Sequence, residues 1–420
     1  MARGRLHAGA AEVEITPPAG VRLAGELNPR VARGVRAPLV ARALVLTNGE
    51  ETLAILTLDL YGLNEGSGEK LVQAACARAG IKAEGLMVIC SHTRAAPCTA
   101  PVVGWPEVDE PYLAQVVEKA VDAVARAKAS LRPGSLGLGR ALLPHLVYNH
   151  RLMTRYMKAI TAWLGVPKDE VLEPEGPIDP EFSVFVVRDD RGFPLAFLWG
   201  FAADNRFSEG DLISAGLPGH VQEELDRGLA RHVPALYLGG CGGNVSYAQG
   251  LEESADAIAS AVMAVQLETP SDPSIRLGCA RERMILPIRD YSRFWSRPDV
   301  ELKWPQAVEA FGRDVELMQA EGARAVPTAV QVFRLGRFAL VGLSGMPFVE
   351  FALQIKAGSP FLKTVVAGNA GEHIGYVITR QAFENGGLEA WPARSARVGP
   401  GGGEFMAEEA ISLSKRLWSG

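Results

Sequence analysis

Four short apolar runs in this chain each end abruptly in polar or glycine-rich residues, and that pattern restricts the folds open to it. Leu86-Met-Val-Ile-Cys90 runs into Ser91-His92-Thr93-Arg94, and Pro194 to Phe201 runs into Asp204, Asn205 and Arg206. Ala235-Leu-Tyr-Leu238 gives way to Gly239-Gly-Cys-Gly-Gly243 and Asn244, and Phe338-Ala-Leu-Val341 leads through Gly342 to Ser344-Gly345-Met346-Pro347. Runs of this length bounded by small residues read as buried strands, and strand ends of an α/β fold deliver side chains to a crevice. Such a chain reads as an enzyme or binding protein before it reads as a scaffold.

Other local signals agree. Ala43 to Leu46 and Leu53 to Leu58 flank Asn48-Gly49, which predicts a hairpin. Leu113, Val116, Val117, Ala120, Val121 and Val124 keep helical spacing that ends before Arg132-Pro133-Gly134. Two further helices are predicted, from Gln306 to Gln319 and from Glu404 to Trp418, the second entered through the glycines at Gly399 to Gly403. The segments near 153–180 and 290–327, the latter carrying Trp295 and Trp304, read as insertions serving as lids or oligomer contacts.

Composition removes several functions. With 43 basic against 48 acidic residues, no general field recruits nucleic acid or an anionic membrane. Five cysteines without C-x-x-C spacing argue against a zinc ribbon or disulfide framework. No apolar stretch reaches membrane-spanning length and no signal-peptide h-region opens the chain, so the expectation is a cytoplasmic protein. Gly239 to Gly243 matches no nucleotide-binding motif and reads as close backbone packing, with Cys241 a small buried thiol. Among seven histidines, His92 stands out because it follows an apolar strand and sits among hydroxyls and Arg94.

The succession of motifs resembles the N-terminal catalytic domain of the neutral/alkaline, non-lysosomal ceramidase family. Ala8-Gly-Ala-Ala-Glu-Val-Glu-Ile-Thr-Pro-Pro18 is similar to that family's opening, and Ser91-His-Thr-Arg-Ala-Ala-Pro97 to its Thr-His-Thr-His-Ser-Gly-Pro motif. Phe201-Ala-Ala-Asp204 is similar to Phe-Ala-Cys-His, and Gly240-Cys-Gly-Gly-Asn244 to a Gly-rich loop ending in Asp. Gly345-Met-Pro-Phe-Val-Glu350 is similar to a Gly-Glu-Pro segment, and Gly375-Tyr-Val-Ile-Thr-Arg380 with Gly386-Gly387 to Gly-Tyr-x-x-Thr and the Gly-Gly after it.

The resemblance implies a mixed, multilayer α/β architecture, with two central β-sheets flanked by helices, in one catalytic domain spanning residues 1–420 without the larger ceramidases' C-terminal β-sandwich. It also implies a zinc held by two His, a Glu and a Tyr, whose bound water attacks an amide. Carried over, the first His is His92 and the Tyr is Tyr376, whereas Asp204 stands for the second His, Met346 for the Glu and Arg94 for a further active-site His. Zinc on His92, Asp204 and Tyr376, with Glu372 or His373 as neighbouring substitutes, is one expectation, since three protein ligands suffice for a catalytic site. A Met thioether and a nearby guanidinium oppose it.

The exchange of a dication for arginines favours a different expectation, a zinc-independent enzyme acting on a carboxylate-bearing substrate such as a uronate-containing glycan, by β-elimination or hydrolysis. His92, Tyr376 and Asp204 are then the catalytic candidates, and Arg94, Arg151, Arg206, Asn244 and His373 the substrate-binding ones. A small-molecule or oligosaccharide substrate and a homo-oligomeric assembly complete that reading. The alternatives are a zinc-dependent amidohydrolase on an N-acyl substrate and a non-catalytic homologue acting as a binding protein.

Overall fold

The computed structural model describes residues 3–25, 30–105, 107–165, 168–292, 305–322 and 325–420, so Trp295 and Trp304 lie outside the described residues. The first four strands of its larger sheet are β1 (His7–Glu14), β2 (Val40–Thr47), β3 (Thr52–Leu58) and β4 (Leu86–Cys90). The other four are β5 (Arg132–Leu142), β6 (Glu181–Asp189), β7 (Pro194–Gly200) and β8 (Ala235–Tyr237). Their order is β8-β7-β6-β5-β1-β2-β3-β4. The outermost pairs, β7/β8 and β3/β4, are parallel and the five between them antiparallel. The expected hairpin is present, with Thr47 opposite Thr52 and the Asn48 carboxamide oxygen accepting from the backbone of Glu50 and Glu51.

A second sheet of β9 (Leu277–Pro287), β10 (Ala325–Leu335), β11 (Phe338–Leu343) and β12 (Lys363–Ala367) packs against the first. Leu44, Ile55, Phe185 and Leu198 of the large sheet meet Phe333, Leu335, Leu340 and Val365 of the small one in a shared core. The opposite face of the large sheet carries α1 (Ser67–Ala79) and α2 (Glu110–Ala129) over one half and α3 (Leu217–Leu229) and α4 (Leu251–Glu268) over the other. The far face of the small sheet carries α6 (Val349–Gly358) and α8 (Gly402–Ser419), after α5 (Pro305–Glu321) and α7 (Arg380–Asn385) are counted in chain order. The result is the mixed α/β arrangement of two helix-flanked sheets that the motif resemblance implies. Strands buried on both faces explain why Ala41 to Leu46 is apolar except for Arg42.

Arg42 shows the cost of that burial and how it is met. Its guanidinium bonds Asp59 and Glu12, each at 2.8 Å, and so stays charged inside the strand layer.

Curvature of the large sheet brings its two edges together: β8 lies in contact with β3 although five strands lie between them in the sheet. The loop after β12 fastens the two edges. Gly368 N donates to Gly239 O beyond β8 (2.7 Å), Cys90 N at the end of β4 donates to Asn369 O (3.1 Å), and Gly371 N donates to Val88 O (2.8 Å). The polar ends of β4, β7, β8 and β11 therefore converge at one seam. Gly240 and Gly242 permit this approach. A Cβ on Gly242 would lie 2.5 Å from the Ala203 carbonyl carbon and 2.6 Å from Asp204 N. The reading of the glycine run as a packing device rather than a phosphate cradle thus has its physical reason.

Among the described residues no helix is long and apolar enough to cross a membrane. Gly242→Ala is expected to force apart the two segments it joins, at a cost of roughly 1–3 kcal/mol for overpacking. Thermal unfolding of the variant should show the loss as a lower Tm.

Candidate functional site

The seam holds a cavity of about 10 Å³, lined by Ser91 and His92 after β4, Asp204 and Asn205 after β7, Tyr237 and Gly239 at β8, Met346 after β11 and Asn369 after β12. That is about the room of one water molecule. Around it several buried polar atoms have no protein partner: Ser91 Oγ, His92 Nε2, Asp204 Oδ1 and Asn369 Oδ1. Buried polar atoms are seldom left so, and a cluster of them marks a place for water or ligand.

His92 is held in an uncommon way. Its backbone sits in the left-handed region (φ 61°), a conformation that costs about 1 kcal/mol or more in a residue with a Cβ. Its backbone N–H donates to Leu60 O (2.8 Å), and Nδ1 lies 3.1 Å from Tyr61 O. A carbonyl only accepts, so Nδ1 carries the proton and Nε2 presents a lone pair to the cavity. Burial, reinforced by Arg94, lowers the imidazole pKa to about 4 despite the opposing effect of Asp204. The 3.8 Å between His92 Nε2 and Asp204 Oδ1 is therefore two acceptors facing one gap, not an ion pair.

Asp204 is buried, which by itself would raise its pKa, but the positive charges around it, Arg94 foremost and Arg206 with it, outweigh burial and keep it ionised. Its second oxygen accepts from Arg94 Nη2 at 3.0 Å, and the Tyr376 phenol lies against the same guanidinium. Burial raises Tyr376 to about 12 and lowers His373 to about 3, so both are neutral at ordinary pH. His373, with neither ring nitrogen partnered, stacks near Tyr61, which in turn packs on His92 and on Trp105 at the rim. Arg206 stands over the Trp163 indole, its Cζ 3.5 Å from the ring centroid, and no carboxylate pairs with it among the described residues. Burial and repulsion from Arg94 lower its pKa to about 10, still high enough to keep the charge.

Two of the expected substrate contacts are corrected. Arg151 is fully buried, its guanidinium clamped by Glu175 and Glu389 and donating to Gly386 O (2.7 Å), so it has no fork left for a substrate. Asn244 is likewise consumed, donating to Glu350 Oε2 and accepting from Val349 N, each at 2.9 Å. Both residues hold the walls rather than face the cavity. Arg94, Arg206, His92, Asp204, Tyr376 and His373 do come together.

The donor set was tested against the zinc that the motif resemblance implies. His92 Nε2 and Asp204 Oδ1 are free, but Met346 brings a thioether to the Glu position and Arg94 occupies the other oxygen of Asp204. Glu372 turns away and accepts from Gly66 N at the start of α1 (2.7 Å). No group of three His, Cys, Asp or Glu suited to a metal exists among the described residues. A dication would also face the permanent charge of Arg94 in a poorly solvated seam, where like-charge repulsion amounts to several kcal/mol. These residues do not fit that zinc.

Glu389 was not anticipated, and only its contacts reveal it. It is fully buried, bonds Arg151, and its other oxygen lies 3.3 Å from His150 Nε2 and accepts from Thr161 Oγ1 (3.1 Å). Burial would raise its pKa, but Arg151 and His150 overcome it and hold the carboxyl at about 2. Its depressed pKa contributes stability that is fully present above the unfolded value of about 4.3 and lost as the pH falls toward 2. Glu389→Gln is expected to lose about 3–5 kcal/mol at neutral pH by stranding Arg151, and to flatten the acid limb of the stability profile. Denaturant unfolding across that pH range measures both.

No family model matches the chain, and no curated protein matches it in sequence. Solved structures do match in shape. The neutral ceramidase from Pseudomonas aeruginosa superposes with a TM-score of 0.73 at 18% identity, covering 98% of this chain and 75% of that one. A ceramidase complexed with C2 gives 0.74 at 17%, covering 99% and 75%. The chain therefore has a neutral-ceramidase-like fold.

Proposed function

We propose that this protein is a ceramidase-fold enzyme that cleaves a carboxylate-bearing substrate, a uronate-containing glycan, without zinc. The observation that carries this reading is Arg206, a charged guanidinium that stands over the Trp163 ring with no carboxylate partner among the described residues, together with the unpartnered Nε of Arg94. The Arg206 guanidinium suits a carboxylate, which it can bind edge-on through paired hydrogen bonds, with the Arg94 Nε–H as a further donor.

The chemistry follows from charge. A uronate carboxylate neutralised by Arg206 and Arg94 acidifies the adjacent C–H, and its negative charge opposes the burial and the Arg94 repulsion that keep His92 unprotonated. His92 Nε2, the lone pair facing the cavity, accepts that proton, the C–H electrons form the new double bond, and the glycosidic C–O bond breaks. The departing oxygen takes its proton from the Tyr376 phenol, and the proton on His92 then restores Tyr376.

The water-sized cavity between His92 Nε2 and Asp204 Oδ1 supports hydrolysis as the second reading, with Asp204 as the carboxylate base toward a seated water. The two readings differ in product: elimination leaves an ultraviolet-absorbing unsaturated uronate, whereas hydrolysis incorporates oxygen from labelled water. In either reading the 420 residues act as one catalytic unit, because both sheets supply site residues.

Cleavage of polyuronates should proceed undiminished in EDTA and fall on the order of a hundred-fold in Arg94→Ala, the size of effect seen when a preorganised charge-stabilising donor is removed. Arg206→Ala should act chiefly on KM. Turnover that requires stoichiometric zinc would sink the proposal.

A further inference from the structure

Arg206 raises a physical question: what keeps a half-buried guanidinium in place without an acidic partner? An Asp or Glu beside it would satisfy the charge but occupy the N–H edge that a substrate carboxylate needs. The indole of Trp163 avoids this conflict. With the Arg206 Cζ 3.5 Å from its centroid, the indole offers the negative face of its ring to the cation and places no carboxylate at the N–H groups. Trp163 comes from the 153–180 insertion, so a segment outside the main sheets reaches the site.

Trp163 is in turn fixed from below. The His150 ring lies 4.4 Å from it, and His150 is held by Ser246 Oγ at 2.9 Å and by Glu389 at 3.3 Å. Glu389 ends in the Arg151 clamp, whose parts are nearly inaccessible to solvent. The loop that carries Arg206 is tethered independently: Arg206 N donates to Asp204 O (2.8 Å), and Glu209 accepts from Ser214 Oγ and from His220 Nε2. Both members of the stack are thus held by separate networks, and the indole Nε1–H is buried without a partner.

We infer that Trp163 is a positioning residue that sets carboxylate selectivity, holding Arg206 charged and without a carboxylate partner so that its edge receives the substrate's carboxylate. The inference rests on the carboxylate reading above and adds to it the residue that enforces the preference. Deleting the indole leaves Arg206 free to swing toward Asp204 and be neutralised there, which would convert a substrate-binding charge into an internal ion pair.

Binding of glucuronate and of its uncharged carboxamide, measured by calorimetry on the full chain, tests this together with N-acetylglycine and its amide. The wild-type protein is expected to prefer the carboxylate of each pair, and the tighter carboxylate identifies a sugar acid or an acylated amino acid as the source. In Trp163→Leu the preference should fall on the order of ten-fold, while Trp163→Phe, which keeps a ring under the guanidinium, should retain most of it. Absence of any preference in the wild type would overturn the carboxylate reading itself. A wild-type preference left intact in Trp163→Leu would overturn only the role of Trp163. Should Trp163→Leu not fold, Trp163→Gln, which also removes the aromatic face, takes its place: a carboxylate preference as large as that of the wild type would refute the inference.

Discussion

Three backbone hydrogen bonds from the loop after β12 hold the site together, because they join edges of the large sheet that its own ladder leaves apart. Gly368, Asn369 and Gly371 reach Gly239 on one side and Cys90 and Val88 on the other. Without that seam, His92 and Asp204 would belong to opposite ends of an eight-stranded sheet. Backbone bonds suit the task because they do not depend on side-chain rotamers, so the approach is set once the small sheet docks through its shared core. The close glycine contacts and the left-handed backbone at His92 both lie along this seam.

What the seam encloses is defined by charge. The Arg94–Asp204 pair leaves one carboxylate oxygen unpaired, the imidazole stays neutral because burial outweighs its acidic neighbour, and Arg206 keeps an uncompensated positive charge. On the proposed reading that charge receives an anion, whereas a metal centre needs an excess of neutral or negative donors. The neutral-ceramidase-like fold thus frames, in this chain, a seam where two guanidiniums, one carboxylate and neutral imidazoles meet.

Much of the scaffold was legible in one dimension. The hairpin around Asn48-Gly49, α2, α5 and α8 followed from turn chemistry and periodicity, since those signals are local. The strand-end signature located His92, Asp204, Gly239 and Met346. It also applies to Thr364-Val-Val-Ala367, which runs into Gly368-Asn369, so the stitching loop had the same signal available. Trp163 had only a weaker one, an aromatic residue inside an insertion. Glu389 had none, as a lone acid in a glycine- and alanine-containing loop reads as solvent-exposed.

The sequence by itself determined where the strands end and which polar residues stand at those ends. Tertiary structure alone decided which arginines remain available. Arg151 and Arg206 look alike in sequence, yet one meets Glu389, 238 residues away along the chain, and the other meets an indole. The physical reason is that local periodicity reports which face of an element is buried, while the partner a buried charge finds there depends on packing between segments far apart in the chain.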